Sequence, residues 1–581
     1  MRMILPPIFN ANASARRLLP NRWDFVAFPL ILCLIVLGST GFHQTLAPMA
    51  TLKTQAISLD PAHLPGYALR TILRMLAAMI ASLVFTLVYG TIAAKSRRAE
   101  KVLVPILDIL QSVPVLGYIS FTVTFFLALF PGRVLGAECA AIFAIFTSQA
   151  WNMTFSFYQS LRTVPRDLEE VSIGFHLTGW QRFWKLEVPF SMPGLIWNMM
   201  MSMSGGWFFV VASEAITVGN NTVTLPGIGA YLAQAISERN LGAVGWVILA
   251  MTLVIVAYDQ FLFRPLVAWA DKFRMENTSS QNEPESWLLD LIRRARLIQK
   301  LGQPLGAFLR ATARMPLRMP VAPRRKPVST GSSRVGDIIW AALIVIGMVL
   351  IVWRVVGFMA TEVSWGDVGH VVLLGLITLV RVLSLIAIAS VVWVPLGVLI
   401  GLRPKLAEKI QPLAQFLAAF PANLLFPIFV VGIVHFNANP DIWLSPLIVL
   451  GTQWYILFNV IAGAMAIPTD LKEAASVFGF RGWERWQKLI LPGIFPFLVT
   501  GMITASGGAW NASIVAEYFH FKGQTYSTTG IGAMISAATD AKNFDLLLAS
   551  TIALAAVVVT TNRLLWRRLY RLAETRFKLE S

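Results

Sequence analysis

The sequence predicts an all-α polytopic membrane protein with about 12 transmembrane helices, arranged as two parallel six-helix repeats. Three observations predict this class. The 581 residues are 56% hydrophobic and 13% charged, whereas a soluble protein carries about a quarter charged residues. The chain contains 12 long uncharged runs, and each is near the ~20 residues that a helix needs to cross a bilayer. One stretch between these runs also occurs twice.

The uncharged runs form two sets of six on either side of a polar stretch. The runs are 25–42, 75–94, 109–132, 139–161, 188–213, 240–258, then 338–353, 382–402, 410–439, 442–469, 489–516 and 546–562. The predicted domains are therefore a first repeat (1–270), a basic linker (271–335) and a second repeat (336–581). A signal peptide is the alternative for residues 25–42. That run is longer than a usual signal core and no clear cleavage site follows it, which favours an uncleaved span.

Lysine and arginine lie mostly on one side of the predicted topology. Of the 48 such residues, 39 fall in the termini, the linker and the loops on their side, and six fall in the opposite loops. This bias predicts that both termini are cytoplasmic, in a bacterial inner membrane. It explains the net charge of +18 without a nucleic-acid partner, and the lipid bilayer is the partner it implies. The basic, amphipathic segment 287–298 is expected on the inner membrane face, within a linker interpreted mainly as a tether.

The duplicated stretch consists of residues 165–189, here called the first loop, and 468–492, the second loop. The two align without a gap at an offset of 303, and 11 of 25 positions are identical. In the second loop, one helical stripe is formed by Leu471, Ala474, Ala475 and Phe478. Gly479 follows and is suited to a left-handed helix stop. Each loop is predicted to form two short amphipathic helices between transmembrane spans.

The second loop resembles the EAA loop of ABC-importer permeases, through Glu473-Ala474-Ala475, Gly479 and the closing Leu491-Pro492. In that family the loop is the coupling helix that seats in the ATPase subunit. The resemblance implies these coupling residues: Glu170, Phe175, Gly179, Trp180, Glu473, Ala474, Ala475, Gly479, Gly482 and Trp483. The first loop departs from the pattern, because Val171 and Ser172 follow Glu170 and His176 stands where Gly479 stands. The alternative is a pair of amphipathic helices lying on the membrane, which leaves the shared register of the two copies unexplained.

Other duplicated segments extend the resemblance over most of both halves. A Gly-Gly pair before Trp207 and Glu214 is repeated before Trp510 and Glu517, and a Gly-Ile-Gly segment follows each. These features resemble the nitrate, sulfonate, taurine and bicarbonate branch of type I importers. The resemblance implies a type I ABC-importer permease fold, with two permease repeats fused into one translocation pore. It also implies a cytoplasmic ATPase dimer, an extracytoplasmic binding protein and a small anion as partners.

No GxxxxGK[ST] phosphate loop occurs in the sequence, so ATP and Mg²⁺ are expected on the partner ATPase and no cofactor on this chain. The six histidines are scattered, and no catalytic triad or metal cluster is predicted. The chain is therefore interpreted as a transport subunit rather than an enzyme. The alternative of another class is a secondary transporter of twelve spans driven by an ion gradient. It is disfavoured because the runs contain almost no ion-coupling residues. A membrane scaffold or enzyme is disfavoured further.

Polar and tryptophan residues in the fourth and fifth spans of each repeat are the candidates for the translocation path. Polar groups at these depths usually face a bundle interior or a cavity. The candidates are Gln149, Asn152, Trp207, Glu214, Gln453, Trp510, Asn511 and Glu517. The tryptophans have core packing as an equal alternative. Because Phe208 stands where Asn511 stands in the second repeat, the pore is predicted to be asymmetric.

Two arginines are predicted to form an outer gate. Arg74 and Arg381 each open a span, and Glu214 and Glu517 each end one near the same face. An Arg–carboxylate pair is favourable there, so we expect Arg74 to pair with Glu214 and Arg381 with Glu517, or the crossed combinations. Two alternatives stay open. Free arginines would attract an anionic substrate, and arginines without a partner would snorkel to the interface.

Overall fold

The computed structural model describes residues 57–273, 286–317 and 364–577, apart from positions 118, 219, 220, 522, 523 and 542, together with scattered positions between 342 and 357. The predicted first span, 25–42, lies outside the described residues, and 338–353 is described at scattered positions. Within the described residues, 7 helical segments are long and apolar enough to cross a bilayer, or up to 9 with two bent pairs. The predicted all-helical membrane fold is confirmed.

The first repeat consists of ten described helices and one antiparallel hairpin. In order they are α1 (Leu64–Lys95), α2 (Arg97–Ser112), α3 (Ile119–Leu129), α4 (Val134–Arg162), α5 (Arg166–Gly174), α6 (Gly179–Arg182), α7 (Val188–Ser213), β1 (Ala215–Val218), β2 (Asn221–Thr224), α8 (Ile228–Ser237), α9 (Leu241–Tyr258) and α10 (Arg264–Ala270). The linker contributes α11 (Trp287–Arg294) and α12 (Arg296–Arg314).

Apart from three helices in the place of α4, the second repeat has the same order of elements over its described part. They are α13 (Trp365–Gly401), α14 (Pro404–Ala419), α15 (Phe426–His435), α16 (Pro440–Trp443), α17 (Ser445–Leu450), α18 (Gln453–Ala466), α19 (Thr469–Val477), α20 (Gly482–Arg485), α21 (Leu491–Ala516), β3 (Tyr518–Phe521), β4 (Gln524–Ser527), α22 (Ile531–Asp540), α23 (Phe544–Thr561) and α24 (Arg567–Arg576). The hairpins share one register, with Ala215 opposite Thr224 and Tyr518 opposite Ser527.

Three spans predicted to be continuous are broken. The run 442–469 bends by 44° between α17 and α18. The runs 109–132 and 410–439 are each divided by a 3-10 turn next to a proline. In the first repeat, a single 3-10 turn (Val115–Gly117) separates α2 from α3, and in the second the turn Ala422–Leu424 separates α14 from α15. Proline stands at each of these two turns, and it disfavours a helical conformation in the residue before it. Accordingly Val113 has ψ 123° and Phe420 has ψ 127°, both extended. The turn in the second repeat bends its pair by 72°.

The second span also differs from its prediction. The uncharged run begins at Met75, but helix α1 begins at Leu64, so Arg74 lies inside the helix and is 4% exposed. It stands ten residues beyond the helix start, about 15 Å along the axis. An apolar core joins the two repeats, and it includes Met203 and Trp207 of the first repeat with Phe426 and Ile456 of the second. The core places the fifth spans, α7 and α21, beside the broken helices.

Candidate functional site

Two pseudo-equivalent contacts join the repeats at the broken helices. Asn511 on α21 accepts a hydrogen bond from the backbone N–H of Val115 at 2.8 Å, in the break of the first repeat. Asn423, in the break of the second repeat, donates to the carbonyl oxygen of Phe208 on α7 at 3.3 Å. Each fifth span is therefore hydrogen-bonded to the break between helices in the other repeat. The two fifth spans differ at these equivalent positions, as the asymmetry predicted there requires. Asn511 contributes its side-chain oxygen to the contact, whereas Phe208 contributes its backbone carbonyl oxygen.

A cavity of about 620 Å³ lies between the repeats. Its lining is mainly aromatic and methionine-rich and includes residues of α7, α9, α14 and α18. The polar groups among the lining residues are Ser204, Asp259, Gln260, Arg264, Gln415 and Tyr455. Asp259 and Arg264 form an ion pair at 3.1 Å with both side chains about half exposed. The cavity therefore reaches the surface at this end of the bundle, which is also the end that carries the first loop.

A hydrogen bond between the two repeats borders the cavity. The hydroxyls of Ser204 on α7 and Tyr455 on α18 are bonded to each other, and both residues are buried. A second, smaller cavity of about 60 Å³ begins beyond them and is lined by Asn511 and Phe420. Ser204 and Tyr455 line both cavities. The Ser204–Tyr455 bond therefore lies where the two cavities adjoin, at the interface between the repeats.

Arg74 is the centre of a buried ion network in the first repeat. Its guanidinium binds Glu138 on α4 through two bonds, Nε to Oε2 at 2.6 Å and Nη2 to Oε1 at 2.7 Å. Nη1 donates to Glu214 at 2.7 Å and to the carbonyl oxygen of Pro226 at 3.0 Å. All three charged side chains are at most 9% exposed. The network ties together α1, α4 and the end of α7.

The carboxylate of Glu214 also holds the start of α8. It accepts from the backbone N–H of Gly229 at 2.7 Å and from the hydroxyl of Thr71 at 2.7 Å. Thr71 in turn accepts from the N–H of Ile228 at 3.1 Å. A carboxylate satisfies the free N–H groups of a helix start and its dipole. A Cβ at Gly227 would overlap this carboxylate, which explains the glycine in the Gly-Ile-Gly segment.

The second repeat reproduces this arrangement with one charge fewer. Arg381 binds Glu517 at 2.6 Å, and Glu517 accepts from the N–H of Gly532 at 2.8 Å and from Thr378 at 2.9 Å. Arg381 completes its contacts with Thr528 at 3.2 Å and the carbonyl oxygen of Thr529 at 3.0 Å rather than with a second carboxylate. Its side chain is 12% exposed. The pairing predicted within each repeat is present, and the crossed pairing is not.

These contacts decide between the three interpretations of the arginines. Arg74 is buried and Arg381 largely so, and both are paired, so they are neither snorkelling nor free to attract an anion in this conformation. Each pair lies inside one repeat, so each holds helices of that repeat together rather than joining the two repeats. Their role as an outer gate stays a prediction. The sequence reasoning missed Glu138 as a partner of Arg74. A lone acidic residue directly before the predicted span 139–161 was the sequence signal that could have indicated it.

The remaining path candidates are dispersed. Trp207 lines the large cavity and packs edge-on against Tyr258, with ring centroids 5.4 Å apart. Gln149 is fully buried beside Met75, and Trp510 is 2% exposed. Asn152 accepts from Gln111 at 2.7 Å, and Gln453 accepts from Trp393 at 3.0 Å. Of the eight candidates, Trp207 and Asn511 line the described cavities.

The two loops form the predicted pairs of short helices, α5 with α6 and α19 with α20. Glu170 and Glu473 are exposed on them, and so are Phe175, Gly479, Gly482 and Trp483. Ala474 is half-buried, and Ala475 and Gly179 are buried against the following helix. Gly479 has φ +72°, the left-handed stop predicted for it, and His176 has φ +50° at the equivalent position. The first loop therefore keeps the backbone turn although it lacks the glycine.

Because histidine stands at this turn in the first loop and glycine in the second, substitutions at the two positions are expected to have opposite effects. A non-glycine residue in the left-handed region is strained by about 1 kcal/mol. His176→Gly is therefore expected to slow hydrogen exchange in residues 165–182 about fivefold, and Gly479→His to speed it about fivefold in residues 468–485. Exchange of the purified chain, followed by mass spectrometry, measures both. A change of the same sign in both variants contradicts the assignment of strain to this turn.

Buried charges anchor the first loop and have no counterpart in the second. Lys95, at the end of α1, binds Glu187 at 2.7 Å, and Arg182 binds Glu187 at 3.2 Å and also pairs with Glu169. Lys95, Arg182 and Glu187 are at most 7% exposed. In the second loop Ile490 replaces Glu187 and Lys472 replaces Glu169. The sequence reasoning missed this network, and its signal was the charged residue directly before span 188–213.

The fold and the duplicated site define a helical membrane permease made of two homologous repeats. The chain belongs to the family described as the binding-protein-dependent transport system inner membrane component, which matches residues 86–264 and again 393–578. The two matches coincide with the two repeats and include both loops. The domain is therefore present twice in one chain.

Curated relatives are similar to this chain over a quarter to a third of its length. A bicarbonate transport system permease of Synechococcus elongatus is 31% identical over 24% of this chain and 49% of its own length. A nitrate import permease of Synechocystis is 27% identical over 31% and 61%. A glycine betaine/carnitine transport permease of Listeria monocytogenes is 28% identical over 29% and 54%. The chain thus spans about half to three fifths of these relatives.

Among the described residues, no group of three His, Cys, Asp or Glu could hold a metal ion.

Proposed function

We propose that this chain is the complete translocation pore of an ATP-driven importer, coupled through its two loops to a separate cytoplasmic ATPase dimer and supplied by an extracytoplasmic binding protein. The observation that carries the proposal is the cavity between two family repeats, which reaches the surface at the end with the first loop and is bordered by the Ser204–Tyr455 hydrogen bond. This bond is the proposed closed point of the pathway. Alternating access needs such a closed point at the interface of two repeats. The described conformation corresponds to a pore open toward the cytoplasm.

We further propose a small anion as the solute, such as nitrate, bicarbonate or a sulfonate such as taurine. This class rests on the branch resemblance and on two of the relatives, whose names specify bicarbonate and nitrate. The cavity offers hydroxyl and amide donors at Ser204, Tyr455 and Gln415, which suit a solute that carries oxygen acceptors. The betaine relative makes a zwitterion the competing outcome.

Reconstitution tests the driving force and the solute together. The chain, its ATPase and its binding protein are placed in proteoliposomes, and uptake of labelled nitrate, bicarbonate, taurine and glycine betaine is followed. The proposal expects uptake of one of the three anions only when ATP is present on the ATPase side. Uptake driven by an imposed ion gradient in the absence of the ATPase would identify a secondary transporter instead. ATP-driven uptake of glycine betaine alone would retain the pore and overturn the anion class.

Cysteine labelling tests the cavity itself. In a chain whose native cysteines are replaced by serine, Gln415→Cys on the cavity wall is expected to react at least about tenfold faster with a charged methanethiosulfonate than Leu413→Cys, because a thiolate forms readily only in water. Leu413, on the same helix, is 51% exposed on the outside of the fold and is the matched control. Equal rates in inside-out vesicles would place the open pathway elsewhere.

The depth of the closed point is tested by a third position. Asn511→Cys lies beyond the Ser204–Tyr455 bond, so it is expected to react more slowly than Gln415→Cys. Tyr455→Phe removes one hydroxyl of that bond and is expected to raise the rate at Asn511→Cys. An unchanged rate would show that this hydrogen bond does not close the pathway.

A further inference from the structure

The described part of the linker, residues 286–317, contains the two helices α11 and α12. Helix α11 is capped by Ser286, whose hydroxyl accepts from the N–H of Leu289 at 3.3 Å, and it buries Leu288, Leu289 and Leu291. Trp287 packs edge-on against Phe261, with ring centroids 5.6 Å apart. The linker helices therefore start from a fixed contact with the end of the first repeat.

The far end of the linker contacts the first loop. Trp180 Nε1 donates to the carbonyl oxygen of Thr312 at 2.7 Å, and Gln181 Nε2 donates to that of Arg314 at 2.8 Å. Thr312 and Arg314 lie in the last turn of α12, where carbonyl groups lack the usual helical partner four residues on. The Thr312 carbonyl also accepts from the N–H of Met315 at 3.2 Å. Two side chains of the first loop thus cap the carboxyl end of the linker helix.

Among the residues that the structure describes, none covers the second loop in a comparable way. Trp483 corresponds to Trp180 and is 69% exposed, and Glu484 corresponds to Gln181 and pairs with Lys488 at 2.7 Å within its own helix turn. The linker therefore distinguishes the two loops structurally. It adds a second anchor to the loop that the buried Lys95–Glu187–Arg182 network already holds.

The outward face of the linker helices combines apolar groups with positive charge. Trp287, Phe308 and Leu309 are 51%, 64% and 44% exposed. Residues 286–317 contain six Lys or Arg and one acidic residue, Asp290. A basic amphipathic helix of this composition binds in the plane of a membrane surface, with its apolar groups at the acyl boundary and its cations on anionic headgroups.

We propose that α11 and α12 bind the anionic lipid headgroups of the inner leaflet and, through the carbonyls of Thr312 and Arg314, hold the first loop in place. Charge complementarity selects this occupant, because the net positive segment faces outward beside a membrane-spanning bundle. The inner-leaflet placement rests on the proposed function. Anionic lipid is thereby linked to one coupling loop and not to the other.

Protease protection tests the lipid contact on the full chain in nanodiscs. Trypsin cleavage after Arg296 and Arg310 is compared between phosphatidylcholine and phosphatidylcholine with phosphatidylglycerol. Anionic lipid is expected to slow cleavage at both sites at least about fivefold, and high salt is expected to remove this protection. Cleavage after Arg485 in the exposed second loop is the internal control and is expected to be the same in both lipids. Equal cleavage of the linker in the two lipids overturns the proposal.

Substitutions separate the lipid contact from the loop contact. Arg293→Gln combined with Lys300→Gln and Arg314→Gln is expected to abolish the protection at Arg310 by anionic lipid, and persistence of the full protection overturns the lipid contact. Trp180→Phe keeps the ring but removes the donor to Thr312, so cleavage after Arg314 is expected to rise about fivefold in both lipids.

Trp483→Phe is the matched control for the loop contact and is expected to leave cleavage after Arg314 unchanged. Identical behaviour of Trp180→Phe and Trp483→Phe would contradict the role of α12 as an anchor of the first loop. Absence of ATP-driven uptake would contradict the proposed function, whereas the cleavage rates test only the lipid contact and the loop contact. The two proposals can therefore fail independently, and the experiments show which one has failed.

Discussion

Arg74→Gln is expected to destabilise the first repeat by about 3–5 kcal/mol, the cost of removing one partner from a buried ion pair. The substitution leaves the carboxylates of Glu138 and Glu214 facing each other without a cation, at sites at most 9% exposed. It also breaks the bonds that join α1 to α4 and α7. The yield of folded chain in membranes and its thermal unfolding in detergent measure the effect.

Three variants make this expectation specific to the network. Arg70→Gln lies one turn away on the same helix, outside the Arg74–Glu138–Glu214 contacts, and is expected to change stability little. Arg381→Gln leaves one carboxylate without a cation rather than two, so it is expected to lower the free energy of unfolding less than Arg74→Gln does. Adding Glu138→Gln to Arg74→Gln removes one stranded charge and is expected to recover part of the stability. If Arg74→Gln unfolds together with Arg70→Gln, the network is not a stabilising element.

A charge exchange between Arg74 and Glu214 is not expected to restore function. The Glu214 carboxylate accepts hydrogen bonds from Gly229 N–H and the Thr71 hydroxyl, and an arginine at that position would oppose donors with donors. A carboxylate at position 74 would also lie beside Glu138. The arginine and the carboxylate therefore cannot exchange positions without losing contacts. The stability of single variants tests the pair better than rescue by a charge exchange does.

The parts of this site that depend on local pattern could be predicted from the sequence. The uncharged runs predict the spans, and the helical stripe with Gly479 predicts the shape of the second loop. The Arg74–Glu214 pairing follows from placing each residue along its span. Proline at positions 114 and 421 also carried a local signal for the two breaks, but apolar length alone made each run look like one helix.

The parts that depend on packing between distant segments could not be predicted in this way. Glu138 meets Arg74 across 64 residues, and α12 meets Trp180 across 132. Neither contact has a spacing that periodicity detects, because each is decided by how helices pack in three dimensions. Asn511 illustrates the same limit, since its polarity suggested a solute contact and the structure shows its oxygen bonded to Val115 N–H.

Under the proposed function, Glu473→Lys and Gly479→Pro are each expected to abolish ATP-driven transport and weaken the complex with the ATPase, while membrane insertion stays normal. Both residues are exposed, so neither change disturbs the core. Lysine reverses the charge that the second loop presents to its partner. Proline fixes φ near −65°, whereas position 479 has φ +72°, so the helix stop that aims the loop is lost.

The asymmetry of the two loops sharpens this expectation. The first loop is held by buried ion pairs and by the linker helix, whereas the second presents Phe478 and Trp483 at 74% and 69% exposure with neither anchor. A loop without these anchors depends more on its own backbone to keep its shape, so Glu170→Lys is expected to reduce transport less than Glu473→Lys. Glu484→Gln, an exposed acid on the next helix, serves as the control and is expected to retain ATPase binding. Recovery of a full ATPase complex in pull-downs of both Glu473→Lys and Gly479→Pro would show that the second loop is not the coupling surface.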